Sequence, residues 1–161
     1  MSELRTPTVA LAAEVLLSDG RTLLGRIFVP SAASRHTGPT RPGEWMNDGV
    51  PFFPFLPDAS EPGVSGASVI LNKHQVLVVS VPATADLTAS SVVPGGHERR
   101  VVVECGGRRL EGTLRIDLPE EHCRVLDYLN SPEPFLTLLD GELHHLVPKE
   151  RITRVIEVQE G

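Results

Sequence analysis

Apolar residues along this chain fall in short runs that alternate with polar ones or stand nearly continuous. Each run stops at Gly, Pro or Asp. Val15-Leu16-Leu17 leads into Ser18-Asp19-Gly20 and returns as Leu23-Leu24-Gly25-Arg26-Ile27-Phe28-Val29-Pro30. Alternation about an Asp-Gly pair is the pattern of a β-hairpin. Pro51-Phe52-Phe53-Pro54-Phe55-Leu56 predicts a short strand, because proline survives at strand starts and edges but not in mid-sheet. Val69–Val79 and Leu146–Ile156 are nearly continuous in apolar residues, so each reads as a deeply buried closing strand. Helical character is sparse. One short helix at most is expected, within Glu120–Leu129, with Pro119 near its first turn and acidic residues at its start.

The pattern repeats. Val15–Pro30 has a counterpart in Val102–Pro119, with Gly20 falling on Gly107 and Gly25 on Gly112, 87 positions later. Trp45-Met46-Asn47 followed by Pro51–Leu56 is matched by Leu126-Asp127-Tyr128-Leu129-Asn130 followed by Pro134–Leu139. Each series closes on an aliphatic segment holding a lysine, Lys73 or Lys149. Three blocks in the same order make an internal duplication the better account than chance recurrence of one glycine motif. Gly25 and Gly112 lie inside strand patterns, where glycine marks a bulge or bend. In place of the short helix, the first copy has the Pro/Gly/Ser-rich stretch 31–43, read as a loop. The expected organisation is a first small β-barrel over 8–81, a linker over 82–97 and a second small barrel over 98–159. Units this small are marginal alone, so the two should pack together, by pseudo-twofold packing.

Composition narrows the function classes. Aromatics are only 4% of 161 residues, and the core must be built from Val, Leu and Ile. Formal net charge is −6, and neither half is basic, which disfavours a broad electrostatic grip on nucleic acid. A local basic patch would need Arg99-Arg100 and Arg108-Arg109 to converge across one hairpin. Cys105 and Cys123 suit a reduced, cytoplasmic protein at least as well as one disulfide. Neither a leader-like N-terminus nor an apolar run of membrane-spanning length is visible, so no membrane association is expected.

Candidate chemistry is thin. His122-Cys123 and His144-His145 are adjacent pairs whose side chains would diverge on a strand, and no Cys-x-x-Cys or His-x-x-x-His spacing occurs. No metal and no cofactor are expected. Cys105 borders a hairpin turn with no base in view, and Gly20–Gly25 is a hairpin rather than a phosphate-binding strand-to-helix turn. The chain therefore reads as a non-enzyme. Trp45, Phe52, Phe53 and Phe55 form an aromatic cluster between Pro/Gly-rich stretches, either core or a patch that docks a partner. Asp127 and Asn130, three residues apart, either order their loop through local hydrogen bonds or contribute to binding.

The block order resembles the Sm and Sm-like fold, a small SH3-like barrel. The second copy is similar to that family's first motif through Gly107, Leu110, Gly112, Asp127, Asn130 and Leu139-Asp140; the first keeps Asp19-Gly20, Leu23, Gly25 and Asn47. Lys73 and Lys149 stand where the family's second motif has its basic residue, and Asn72-Lys73-His74 looks like the Tyr-Lys-His stretch of the bacterial Sm-like RNA chaperone. That resemblance implies a uridine pocket near Asn47, Lys73 and His74, with Asn130 and Lys149 as second-copy counterparts. The stacking aromatic before the lysine is missing, replaced by Asn72 and Pro148. Arg124–Asn130 also resembles an Arg-x-x-Asp-x-Leu-Asn segment of an uncharacterised bacterial domain family. The leading expectation is thus a cytoplasmic adaptor or scaffold subunit. It would bind another protein through Trp45, Phe52, Phe53, Phe55, Asp127 and Asn130, and could form a homo-oligomer. RNA binding by an Sm-like pocket is the alternative.

Overall fold

The computed structural model describes residues 7–31, 40–59, 69–83, 97–116 and 124–159. Its first half holds β1 (Thr8–Leu17), β2 (Thr22–Pro30), α1 (Pro42–Met46), β3 (Phe52–Pro57), β4 (Val69–Asn72) and β5 (Val76–Pro82). The second holds β6 (His97–Cys105), β7 (Arg108–Ile116), α2 (Val125–Leu129), β8 (Phe135–Asp140), β9 (Leu143–Pro148) and β10 (Ile152–Glu157). All ten strands join one antiparallel sheet in the order β10-β6-β7-β8-β9-β5-β1-β2-β3-β4. The fold is all-β, and its halves share one strand order, β5-β1-β2-β3-β4 and β10-β6-β7-β8-β9.

Three expectations need correction. The sheet is not closed into barrels: among the described residues, β4 and β10 are its two ends. The apolar segments read as single closing strands are each two strands, split by a 3₁₀ turn at Lys73–Gln75 or Lys149–Arg151. In the first of these, the Asn72 side chain accepts a hydrogen bond from the His74 N–H at 3.0 Å and starts the turn. The chain thereby leaves β4 and pairs back along β1. There are also two short helices, not one. α1 occupies the Pro42-Gly43 end of the stretch read as a loop, with Pro42 in its first turn and Trp45 and Met46 buried. A helix of one turn has no stability of its own; burial of those two side chains holds it.

Packing of the halves differs from the expected pseudo-twofold as well. A twofold would pair the same strand from each copy, whereas here β5 pairs with β9, the fifth strand of one half with the fourth of the other. The linker read at 82–97 lies mostly outside the described residues; β5 ends at Pro82 and β6 begins at His97.

Two glycines allow two close strand approaches. A Cβ at Gly25 would run into the Leu56 carbonyl oxygen and the Phe55 ring, and one at Gly112 would stand 2.5 Å from the Leu139 carbonyl oxygen. Only glycine lets β2 and β3, or β7 and β8, approach so closely. The two hairpin turns differ. Gly106-Gly107 is a two-residue turn between Cys105 and Arg108, whereas the first hairpin is closed one residue wider, by Leu17 N–H donating to Arg21 C=O at 2.8 Å.

Each half has its own hydrophobic cluster, and each cluster borrows from the other half. The first contains Val15, Ile27, Val29, Trp45, Met46, Phe53, Phe55 and Val79, together with Phe135 and Leu146 from the second half. The second contains Val101, Val103, Cys105, Leu114, Ile116, Leu136 and Leu138, together with Leu16, Leu77 and Val78 from the first. Side chains of this kind contribute about 1.5–3 kcal/mol each on full burial, so the joint is part of the core rather than a surface contact.

Candidate functional site

Lysine 73 organises the inner end of the first half. Its ammonium is buried; it donates to the Trp45 carbonyl at 2.9 Å and to Asp48 Oδ1 at 2.8 Å, and lies 5.3 Å from the Trp45 ring centroid. A cation so placed satisfies the carbonyl end of α1 and lies against the face of the indole. The second half repeats the device with Lys149, which donates to the carbonyls of Tyr128 and Ser131, each at 3.1 Å, and to Ser131 Oγ at 2.9 Å, over the Tyr128 ring. Burial pulls the Lys149 ammonium below its ordinary range, and Glu133 opposes that. The geometry is that of a structural tie.

Asparagine 47 joins the halves. Its Oδ1 accepts from the Phe135 N–H at 2.8 Å and its Nδ2 donates to the Phe135 C=O at 3.2 Å. The amide thus pairs with the first residue of β8 as a neighbouring strand would. Within the β5–β9 pairing, Ser80 Oγ lies 2.7 Å from His145 Nδ1, and His145 Nε2 lies 3.3 Å from Asp140 Oδ2. A serine, imidazole and carboxylate in a row invite comparison with a catalytic triad. Here the imidazole is buried in the β5–β9 ladder, with Ser80 directly opposite His145, and it turns Nδ1 rather than Nε2 to the hydroxyl. The chain fastens the joint.

Of the four aromatic candidates, Trp45, Phe53 and Phe55 are core residues, with Trp45 and Phe53 in edge-to-face contact at 5.0 Å. Phe52 alone reaches solvent. It belongs to a row on the outer face of the sheet's β4 end, where Phe52, Pro54 and Leu56 alternate along β3 and Ile70 on β4 stands opposite Pro54. Sequence reasoning grouped the aromatics by proximity and missed Ile70; the two-residue period of β3 separates Phe52 from Phe53 and could have found the face.

Asp127, in the first turn of α2, is bound by Arg124 at 3.0 Å. Asn130 is exposed, its N–H closing α2 on the Leu126 carbonyl and its side-chain amide making no hydrogen bond among the described residues. Asn47 and Lys73 are engaged internally, and His74 is exposed, 3.4 Å from Glu150. The three are therefore not presented together to a ligand. Arg99-Arg100 and Arg108-Arg109 do not converge, since Arg100 faces Thr113 while Arg109 faces Glu104, four rungs along the hairpin. Glu104 is held below the usual carboxylate range by its hydrogen bonds from Arg154.

No protein-family model, curated protein or solved structure matches the chain. Its chemistry must be read from its own residues. Burial pushes the Cys105 thiol up, away from the reactive thiolate. Cys123 and His122 lie outside the described residues. Among those described, no cluster of His, Cys, Asp and Glu could hold a metal ion, and no helix is long and apolar enough to cross a membrane.

Proposed function

We propose that the chain is a tandem duplication of one small Sm-like or SH3-like β-unit, and that it works as a non-enzymatic protein–protein interaction module, an adaptor or scaffold subunit. The observation that carries this reading is the β3–β4 end of the sheet. Among the described residues, β4 has an unpaired edge there, beside an exposed apolar row, Phe52, Pro54, Leu56 and Ile70. An edge strand offers main-chain donors and acceptors to an added strand, and side-chain pockets beside it supply selectivity. Large exposed apolar side chains in one row mark an interaction surface more often than isolated ones do. The shared strand order of the halves and their equivalent lysine ties support duplication.

The test is affinity capture from the native cell with wild-type protein and a Phe52→Ser/Ile70→Ser variant. Both positions are exposed, so the variant should keep its fold by circular dichroism. Loss of captured partners supports the reading; a folded variant that recovers every partner in full refutes it. The RNA alternative through Asn47, Lys73 and His74 draws no support from this arrangement.

A further inference from the structure

The two halves share a strand order but not an outer face. Equivalent rungs, Ala13–Gly25 of the β1–β2 hairpin and Val101–Gly112 of the β6–β7 hairpin, fix which positions correspond. On the face turned away from those core residues, the rung Ala10–Phe28 stands where the second half has Glu98–Arg115. Ala12–Arg26 stands where it has Arg100–Thr113, and Glu14–Leu24 where it has Val102–Glu111. Four ions in the second hairpin thus become two in the first. The second hairpin has the face of a strand pair in water, with Arg115 3.6 Å from Glu98. The first leaves Ala10 and Ala12 exposed and Leu24 58% exposed, and Leu56, opposite Arg26 on β3, extends the apolar surface.

We propose that this face of the β1–β2 hairpin is where a second copy of the chain packs, face to face about a twofold axis. Charge selects that occupant. The two ions left on the face, Glu14 and Arg26, are opposite in sign, and neither has an ion pair or side-chain hydrogen bond among the described residues. A twofold axis between them sets Glu14 of one copy against Arg26 of the other, and the reverse. A twofold contact must be self-complementary, and this face carries its own complement.

The pairing register fixes the geometry of the contact. Glu14 faces Leu24 and Arg26 faces Ala12, so the two ions stand on neighbouring strands, two residues out of step. An axis that exchanges them crosses the two hairpins steeply, in the near-orthogonal class of sheet packing. Ala12, opposite Arg26, keeps only a methyl between the backbones and lets the sheets approach to about 10 Å. Leu24 and Leu56 flank Arg26, one along β2 and one across on β3, and supply apolar contact round the ion pairs. The contact is made by side chains alone. It consumes no main-chain donor or acceptor of β4, so it is separate from the edge proposed above to take a partner strand.

The experiment uses the full chain. Light scattering coupled to gel filtration, with native mass spectrometry, should show a particle of twice the 17.4 kDa chain mass whose share grows with concentration. Ala12→Arg/Leu24→Glu gives the first hairpin the residues that the second carries at those rungs, so the variant should keep its fold by circular dichroism. It should weaken pairing on the order of tenfold or more. Charge reversal tests the axis itself. Glu14→Arg and Arg26→Glu should each weaken self-pairing by roughly tenfold or more, since each sets like charges together at both symmetry-related contacts. Mixed in equal amounts, the two single variants should pair with each other as wild type pairs with itself, and Glu14→Arg/Arg26→Glu should recover pairing alone. A chain that stays monomeric at its highest soluble concentration overturns the proposal. So does a dimer that the folded Ala12→Arg/Leu24→Glu variant leaves intact, or single reversals that fail to recombine on mixing. A monomeric chain that captures a different protein, lost in Ala12→Arg/Leu24→Glu, would overturn self-pairing and assign the face to that protein. The β4 edge is tested separately, through Phe52 and Ile70.

Discussion

Replacing Asn47 by alanine should separate the two asparagines that sequence places in equivalent positions. The substitution removes two hydrogen bonds to Phe135, at 2.8 and 3.2 Å, and leaves a part-buried N–H and C=O without the partner they have in the native protein. A net hydrogen bond contributes about 0.5–1.5 kcal/mol, and an orphaned buried donor costs about 1–3 kcal/mol. Part-burial lets water recover some of that, so the expected loss is about 2–3 kcal/mol. For a chain of this length each kcal/mol moves the melting midpoint by roughly 2–4 °C, a fall on the order of 4–12 °C. Asn130→Ala should change stability by less than about 0.5 kcal/mol, because its side-chain amide has no hydrogen-bond partner among the described residues. Urea unfolding with a common slope provides the assay. Asn47→Asp adds a check: the carboxylate can still accept from the Phe135 N–H but faces the carbonyl with no donor, so it should remain well below wild type. An Asn47→Ala loss under about 1 kcal/mol, or equal losses at both positions, would refute the clamp.

Acid should expose the contribution of Glu104. Its folded-state value is lowered from the ordinary 4.5, chiefly by the Arg154 hydrogen bonds, so its stabilisation is present above that value and is lost as pH falls through the lower folded one. Glu104→Gln should therefore flatten the acid limb of the stability profile in that window and nowhere above it; an unchanged limb counts against the pair. Gly25→Ala and Gly112→Ala should each cost about 1–3 kcal/mol or more, since the new methyl meets a backbone carbonyl that cannot move without breaking the strand pair. Gly49→Ala, where φ is +83° and nothing lies within 4 Å, should cost only about 1 kcal/mol, from backbone strain alone. Equal costs at the three positions, read from denaturant midpoints, would contradict the close-approach account.

Strands were legible in the sequence because a two-residue period leaves an unmistakable trace, and the glycines at 25 and 112 stand where neighbouring strands approach closely. Closure was not legible. Nothing in Val69–Val79 announces that the chain turns at Lys73–Gln75, because that turn depends on an asparagine side chain folding over its own backbone. α1 was hidden for a related reason: Pro42-Gly43 has loop composition, and its helical turn exists only because Trp45 and Met46 have a core to enter. The joint was the least visible part. Asn47 and Asn130 look alike in sequence, and only the placement of β8 against the first half shows that Asn47 is engaged while the Asn130 side chain has no hydrogen bond among the described residues.

Strand order also has a consequence for biosynthesis. β5 sits in the middle of the finished sheet, yet its outer neighbour β9 is more than 60 residues further along the chain. At roughly 5–20 residues per second the ribosome leaves the edge of β5, rich in valine, uncovered for several seconds after the first half can fold. An uncovered apolar strand edge is a template for pairing with another chain, and one remedy is local. Ser80 and Pro82 place a hydroxyl and a missing N–H donor along an otherwise aliphatic strand. They weaken pairing with a stray strand while still permitting the one partner, β9, that brings a histidine to meet the hydroxyl.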